Sequence, residues 1–151
     1  MTLSGSTDCI ETERVLLRRI VPADFGFFAR IHADPGVARY IAYGRPRIAQ
    51  ESDDWLLLTL ASYDARGLGQ LAVVRKSDGS LIGRCGLSEF VVEAGARSWV
   101  PRAWYQRSDA PPGLAVVSEP ELGYTFDKAY WGNGYASEAA RRVFDYATQV
   151  L

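Results

Sequence analysis

Residues 121–150 join a strand, a glycine loop and a helix in that order, and they constrain the fold more than any other segment. Glu121–Phe126 has the apolar and aromatic content of a β-strand. After a loop at Asp127–Gly134, apolar residues recur at spacings of three and four, which predicts an amphipathic helix. The apolar positions of that helix are Ala136, Ala139, Ala140, Val143, Ala147 and Val150. One face of this helix must therefore pack against the rest of the domain.

A glycine loop between a strand and a helix is a candidate anion site. The first N–H groups of a helix have no partner within it, and the helix dipole adds about 0.3 to 1 kcal/mol in favour of an anion. Gly132 and Gly134 would let the backbone approach a phosphate without interference from a Cβ atom. Affinity must come mainly from several N–H bonds and from contacts along a long ligand. Two glycines alone are equally compatible with a tight connection that binds nothing.

The loop matches neither of two common nucleotide-binding motifs. Its spacing is not GxxxxGK[ST], and no third glycine completes GxGxxG. The absence of a Walker lysine and of a cluster of metal-ligating residues disfavours a hydrolase or kinase, and we expect no metal. Cys9 and Cys85 lack CxxC spacing, so we expect small buried thiols.

The remaining residues predict further strands and helices. These are a first strand at Arg14–Ile20, a helix that ends at Asp34-Pro35, a second helix at Ala49–Ala61, and a hairpin with arms at Leu71–Val74 and Leu81-Ile82. Residues 1–13 predict a flexible leader because they contain few large apolar groups. Residues 89–119 keep no regular period and contain several prolines, so we predict an insertion, with a partial hairpin as the alternative.

Composition limits the partners that the chain can be expected to have. The 17 basic and 18 acidic side chains leave a formal charge of -1, so we expect no nucleic acid partner. No apolar run approaches the ~20 residues of a membrane helix, and the first residues lack the features of a signal peptide. We therefore expect one soluble, cytoplasmic domain.

The motif residues resemble a known family. The segment Glu121-Leu-Gly-Tyr-Thr-Phe-Asp-Lys-Ala-Tyr-Trp-Gly-Asn-Gly-Tyr-Ala-Ser-Glu-Ala-Ala140 resembles the acetyl-coenzyme A signature of the GNAT N-acetyltransferases. The segments Thr12–Arg19 and Tyr130–Ala136 are most similar to the branch that contains the ribosomal-protein-alanine acetyltransferases. The resemblance implies an α/β (α+β) fold, with a mixed, mostly antiparallel sheet flanked by helices. Residues 14–151 would then form the N-terminal portion of one acetyltransferase domain.

The resemblance also implies a cosubstrate and the residues that bind it. Acetyl-coenzyme A would place its pyrophosphate on the loop and the first helical turn, and its pantetheine arm along the strand edge. The residues implied for the loop are Trp131, Gly132, Asn133, Gly134, Tyr135, Ala136 and Ser137, and those for the edge are Tyr124, Thr125 and Phe126. Trp131 occupies the position where the wider superfamily has Gln or Arg, and Trp is usual in this branch.

Acetyl transfer requires a neutral amine, so we looked for a base. Glu121 is the first candidate because family members often carry a carboxylate on this strand, and Glu89 is the second. The alternative role of Glu121 is an edge carboxylate that orders a loop or pairs with arginine. Tyr124 could donate a proton, although a tyrosine on such a strand is more often a core residue. His32 is expected to be solvated or paired with a helix dipole, not catalytic.

The resemblance implies further strands and a helix after the motif helix, and the sequence given ends before them. We therefore expect that the C-terminal part of the fold is missing and that this chain alone is of uncertain activity. The predicted function is transfer of acetyl from acetyl-coenzyme A to a primary amine, on a peptide N-terminus or a small molecule. The alternative is a noncatalytic module that binds coenzyme A or another protein. A homo-oligomer or a completing chain is a possible partner.

Overall fold

The computed structural model describes residues 9–41, 44–67, 69–95, 102–104 and 107–150, without the side chains of residues 66 and 150. The described residues form a six-stranded antiparallel sheet with helices on both faces. The strands are β1 (Cys9–Glu11), β2 (Val15–Arg19), β3 (Gln70–Arg75), β4 (Leu81–Glu93), β5 (Ala103–Trp104) and β6 (Val116–Phe126). The helices are α1 (Phe25–Ala33), α2 (Pro35–Ala38), α3 (Ala49–Arg66) and α4 (Tyr135–Val150).

The strands follow the order β1-β2-β3-β4, and β4 then pairs with both β5 and β6. Strand β6 runs beside β4 over its whole length, with Phe126 opposite Gly83 and Val116 opposite Glu93. Strand β5 pairs with Val91 and Val92 of β4, on the side of β4 away from β6. Among the described residues, β6 is therefore an edge strand that ends next to the glycine loop.

The two faces of the sheet hold separate apolar clusters. Helix α4 buries Ala139, Val143 and Ala147 against one face, where Leu17 and Val73 are fully buried. Helices α1 and α3 cover the other face with a second cluster that includes Phe28, Ile31, Leu56 and Ala72. Burial of apolar area on both faces fixes the register of the strands, because a shift of one residue would exchange the two faces.

Most predicted elements are confirmed. The hairpin of β3 and β4 turns through Asp78 and Gly79, whose φ of 73° is a conformation that glycine adopts at low cost. Helix α1 ends before Asp34-Pro35, and α3 continues to Arg66, where Gly67 at φ 66° provides a left-handed C-cap. The predicted fold class, an antiparallel sheet flanked by helices, is likewise confirmed.

In two segments the structure differs from the first interpretation of the sequence. Strand β1 lies within the predicted leader, because Ile10 is buried in the core and Cys9–Glu11 pairs with β2. At 89–119 the structure agrees with the alternative, a partial hairpin, because the antiparallel pairing of β4 and β6 extends to Glu93 and Val116. Residues 1–8, 96–101 and 105–106 of these two segments lie outside the described residues.

The helices and the two cysteines bear on two further expectations. No helix in the described ranges is both long and apolar enough to span a membrane. Cys85 is buried and Cys9 is partly buried, and neither forms a disulfide. Burial raises the pKa of the Cys85 thiol to about 12, so this group is an inert core residue.

Candidate functional site

The glycine loop presents a row of backbone N–H groups at the start of α4. Gly132 and Gly134 adopt φ values of 75° and 80°, which turn the chain sharply between β6 and the helix. The first backbone bond of α4 runs from the Glu138 N–H to the Gly134 carbonyl at 3.1 Å. Within the part of the chain that the structure describes, no carbonyl accepts a bond from the N–H groups of Gly132 through Ser137. These donors remain available to an anion.

Side chains around the loop fix its conformation through hydrogen bonds to other backbone groups. They do not occupy the N–H groups of Gly132 through Ser137. The indole N–H of Trp131 donates to the Phe126 carbonyl at 2.9 Å. The amide of Asn133 donates to the carbonyls of Tyr130 and Trp131 at 3.2 and 3.1 Å. The carboxylate of Asp127 accepts from the Ala129 N–H at 3.0 Å. The loop is thus held in one shape before any ligand binds, which lowers the entropy lost on binding.

Helix α1 holds Asp127 from the other side. Arg30 pairs with this carboxylate at 2.6 Å. Partial burial would raise the pKa of Asp127, but the bonds from Ala129 and Arg30 outweigh that effect and lower the pKa overall. The ionised carboxylate therefore joins α1 to the start of the loop.

The register of β6 decides which of its backbone groups face the open edge. The Asp127 N–H donates to Ile82 of β4 at 2.9 Å, and alternate residues of an antiparallel strand repeat that orientation. The backbone of Thr125 therefore faces β4, whereas that of Tyr124 and Phe126 faces away from it. The bond from Trp131 to the Phe126 carbonyl agrees with this assignment. Two of the three predicted edge residues can thus offer backbone groups to a ligand along β6.

Comparison with known proteins identifies the family and supports the fold. A family model for the acetyltransferase (GNAT) domain matches residues 14–151. The chain belongs to the GNAT acetyltransferase family. A solved structure of an acetyltransferase from Agrobacterium tumefaciens is 26% identical with a TM-score of 0.68, over 100% of this chain and 74% of that one. A putative GNAT-family acetyltransferase from Bordetella pertussis is 18% identical with a TM-score of 0.65, over 94% of this chain and 72% of that one, and supports the fold alone.

Two curated relatives are longer than this GNAT chain. The uncharacterized protein YkkB of Bacillus subtilis is 26% identical over 89% of this chain. The uncharacterized N-acetyltransferase p20 of Bacillus licheniformis is 23% identical over 92% of this chain. In both alignments the chain spans 65% of the relative's length.

The two candidate bases of this GNAT domain lie on opposite faces of the sheet. Glu121 is exposed and lies opposite Ser88 in the β4–β6 register. Glu89, one position further along β4, accepts a hydrogen bond from the Ser118 hydroxyl. Successive side chains of a strand alternate between faces, so Glu121 and Glu89 cannot serve the same proton transfer. Tyr124, the candidate proton donor, is also on the face opposite Glu121 and is 53% exposed.

A chain of polar side chains leads across the α3 face towards Glu121. Arg84 donates to the side-chain amide oxygen of Gln70 at 2.7 Å, and the side-chain amide nitrogen of Gln70 donates to the Ser88 hydroxyl at 2.9 Å. Arginine can only donate, which fixes the orientation of the Gln70 amide. The Ser88 hydroxyl accepts this bond, so its own proton can point to a second acceptor on the side of Glu121. The sequence analysis missed these polar side chains. The one sequence feature that pointed to them is Gln70, a polar residue directly before the apolar residues of β3.

The position of His32 corrects an expectation. The ring is fully buried, and its Nδ1 lies 3.1 Å from the Ser52 hydroxyl. Burial, with smaller contributions from the charges of Arg47 and Arg84, lowers the His32 pKa to about 3. The prediction of a solvated or dipole-paired ring is wrong, because α1 turns this position inward against Trp55 of α3. Within the described ranges, His, Cys, Asp and Glu side chains form no group of three that could hold a metal ion.

Proposed function

We propose that this chain binds acetyl-coenzyme A at the loop before α4 and that the protein transfers the acetyl group to a primary amine. The acceptor is a peptide N-terminus or a small molecule. One observation carries the proposal: the N–H groups of Gly132 through Ser137 stand together at a helix N-terminus with no protein acceptor among the described residues. Membership of the GNAT family supports the cosubstrate, and the name of the Bacillus licheniformis relative supports an amine acceptor.

The loop fits a diphosphate on chemical grounds. N–H donors at a helix start bind anions, and Gly132 and Gly134 adopt positive φ and place no Cβ atom between the backbone and the ligand. The edge of β6 fits the two amide groups of pantetheine, because Tyr124 turns its N–H and carbonyl outward and Phe126 turns its N–H outward, while the Phe126 carbonyl accepts from Trp131. When bound, acetyl-coenzyme A supplies an activated thioester carbonyl. The chain would orient this carbonyl along the open edge of β6.

Glu121 is the proposed base for the amine. An α-amino group with a pKa of ~8 is roughly a tenth neutral at pH 7, whereas a lysine at ~10.4 is neutral at well under a thousandth. A carboxylate that accepts a proton from the acceptor ammonium, directly or through water, would increase the neutral fraction at the site. The exposure of Glu121 and its place opposite Ser88 are compatible with this role.

The finer assignments remain proposals. The branch of the ribosomal-protein-alanine acetyltransferases is proposed from Thr12–Arg19 and Tyr130–Ala136, and a cytoplasmic location is proposed with it. The alternative function is a noncatalytic module that binds coenzyme A or a protein. It differs from the enzyme in one measurable respect, because it would bind the cosubstrate without consuming it.

A titration calorimetry experiment with acetyl-coenzyme A, paired with a thiol-release assay on a panel of small amines and short peptides, tests the function. We expect saturable binding and amine-dependent release of coenzyme A. Binding without release under any amine would support the noncatalytic alternative. Absence of binding would contradict the proposed function and the coenzyme A-binding alternative.

The role of Glu121 is tested by Glu121→Gln. We expect kcat to fall at least 10²-fold, the usual contribution of general base catalysis, while the affinity for acetyl-coenzyme A stays within about twofold. Glu119→Gln is the matched control, since Glu119 is exposed on the same face of β6 two residues away. Equal losses in both variants would show that the effect is one of surface charge and would remove Glu121 from the mechanism.

A further inference from the structure

Arg14 connects the turn between β1 and β2 to the glycine loop and the first turn of α4. Its guanidinium donates from Nε to the Glu138 carboxylate at 2.6 Å and from Nη1 to the Asn133 carbonyl at 2.9 Å. The backbone N–H of Arg14 and the hydroxyl of Thr12 donate to the same carboxylate at 2.9 and 2.5 Å. The guanidinium carbon lies 4.6 Å from the centre of the Tyr135 ring. Contacts on three sides therefore fix the Arg14 side chain at the loop.

The bond to Asn133 determines where the next N–H group points. In a trans peptide the carbonyl of one residue and the N–H of the next point in opposite directions. Because Arg14 holds the Asn133 carbonyl on its own side, the Gly134 N–H is directed to the other side, towards the proposed diphosphate seat. A Cβ atom on Gly134 would lie 3.4 Å from Nη2 of Arg14, so the side chain packs directly against this peptide.

Arg14 also balances a charge that would oppose an anion. Glu138 is in the first turn of α4, beside the amides of Tyr135 through Ser137. Its carboxylate is ionised at neutral pH and would repel a diphosphate bound at the same helix end. The guanidinium of Arg14 pairs with this carboxylate and turns a repulsive group into a neutral pair.

We infer that Arg14 is a positioning residue for the diphosphate of the cosubstrate: it orients the Gly134 amide and neutralises Glu138. The inference rests on the proposed function, because it assigns a role at the same seat. Arg14 acts through the loop backbone and needs no contact with the ligand. A positive charge alone would not be sufficient for this role, because one side chain must donate both to the Glu138 carboxylate and to the Asn133 carbonyl.

The test compares coenzyme A binding by Arg14→Ala, Arg14→Lys and the unaltered protein, using calorimetry and amide NMR of the isotope-labelled chain. Both variants should bind coenzyme A about tenfold more weakly, because a lysine cannot bridge Glu138 and Asn133 in the same geometry. The shift that coenzyme A induces at the Gly134 amide should decrease in both. Lys76→Ala is the matched control, since Lys76 pairs with Glu11 and bonds the Thr12 carbonyl without touching the loop.

Pantetheine, which lacks the diphosphate, distinguishes positioning from loss of fold. In Arg14→Ala, the shifts that pantetheine induces at the Tyr124 and Phe126 amides should persist. Unaltered coenzyme A affinity in Arg14→Ala would overturn the inference, and so would a wild-type affinity in Arg14→Lys or an equal loss in Lys76→Ala. No coenzyme A binding by the unaltered protein would instead overturn the proposed function, and the inference with it.

Discussion

At the scale of single residues, positive φ at Gly132 is the feature that the proposed site most depends on. The position has open space around it, so the cost of a side chain there comes from the backbone and not from a clash. An L-residue in this conformation costs roughly 1 to 2 kcal/mol, and the loop would relax to avoid it. A relaxed loop no longer directs its N–H groups to one point.

The substitution Gly132→Ala should therefore weaken acetyl-coenzyme A binding by at least tenfold. Gly113→Ala is a matched control, because Gly113 has a φ of 78° and open space but lies outside the loop. Both variants should lose a similar amount of free energy of unfolding in urea, about 1 kcal/mol. Calorimetry should separate them, since only the loop variant changes the affinity. If the two variants bound the cosubstrate equally well, the loop would have no role in binding.

At the scale of elements, strand β6 combines two functions on its two edges. One edge pairs with β4 and holds the strand, while the other is open and turns the backbone of Tyr124 and Phe126 outward. Pro120 illustrates the same alternation, because its missing N–H falls on the open edge, where no partner strand requires a donor. The strand can therefore lose an outward donor at little cost to the sheet.

The substitution Tyr124→Pro tests the open edge. It should leave the sheet folded, as Pro120 does at an equivalent position, and remove one backbone donor from the proposed pantetheine site. Tyr124→Ala is the control, because it removes the same side chain but keeps the N–H. We expect the proline variant to bind acetyl-coenzyme A about tenfold more weakly than the alanine variant, measured by calorimetry. Equal affinities would mean that the pantetheine arm does not use this amide.

The same two elements show how much could be predicted from the sequence. The strand, the glycine loop and the helix were predicted because their signals are local: apolar and aromatic content in the strand, helical periodicity in the helix, and glycines between them. The involvement of Arg14 was not, because its bond to Glu138 joins residues 124 positions apart and leaves no local pattern. The location of Glu121 and Glu89 on opposite faces of the sheet could not be predicted either, because it depends on the strand register, which a single sequence does not provide.

At the scale of the whole molecule, the contact between α1 and α3 encloses the chain's single histidine in neutral form. The unfolded chain binds a proton at His32 with a pKa near 6.5, while the folded protein does so only near 3. Because the folded pKa is lowered, the unfolded state gains protons first as the pH falls below 6.5. This group therefore reduces the stability progressively between about pH 6.5 and pH 3.

Urea unfolding at pH 7 and pH 5 should measure a loss of about 2 kcal/mol from this group. The variant His32→Asn keeps a side chain that can hydrogen-bond the Ser52 hydroxyl but cannot titrate, so its stability should change much less between the two pH values. A pH dependence of the same size in the variant would assign the effect to other groups. The carboxylates with lowered pKa values contribute below this range, because their unfolded pKa values lie near 4.

The central claim is that the amides at the start of α4 seat a diphosphate. A crystal structure of the chain with coenzyme A tests it most directly. We predict diphosphate oxygens within about 3.2 Å of the N–H groups of Gly134 through Ser137, and pantetheine along the open edge of β6 at Tyr124. A coenzyme A molecule bound elsewhere, with the loop amides facing water, would contradict it.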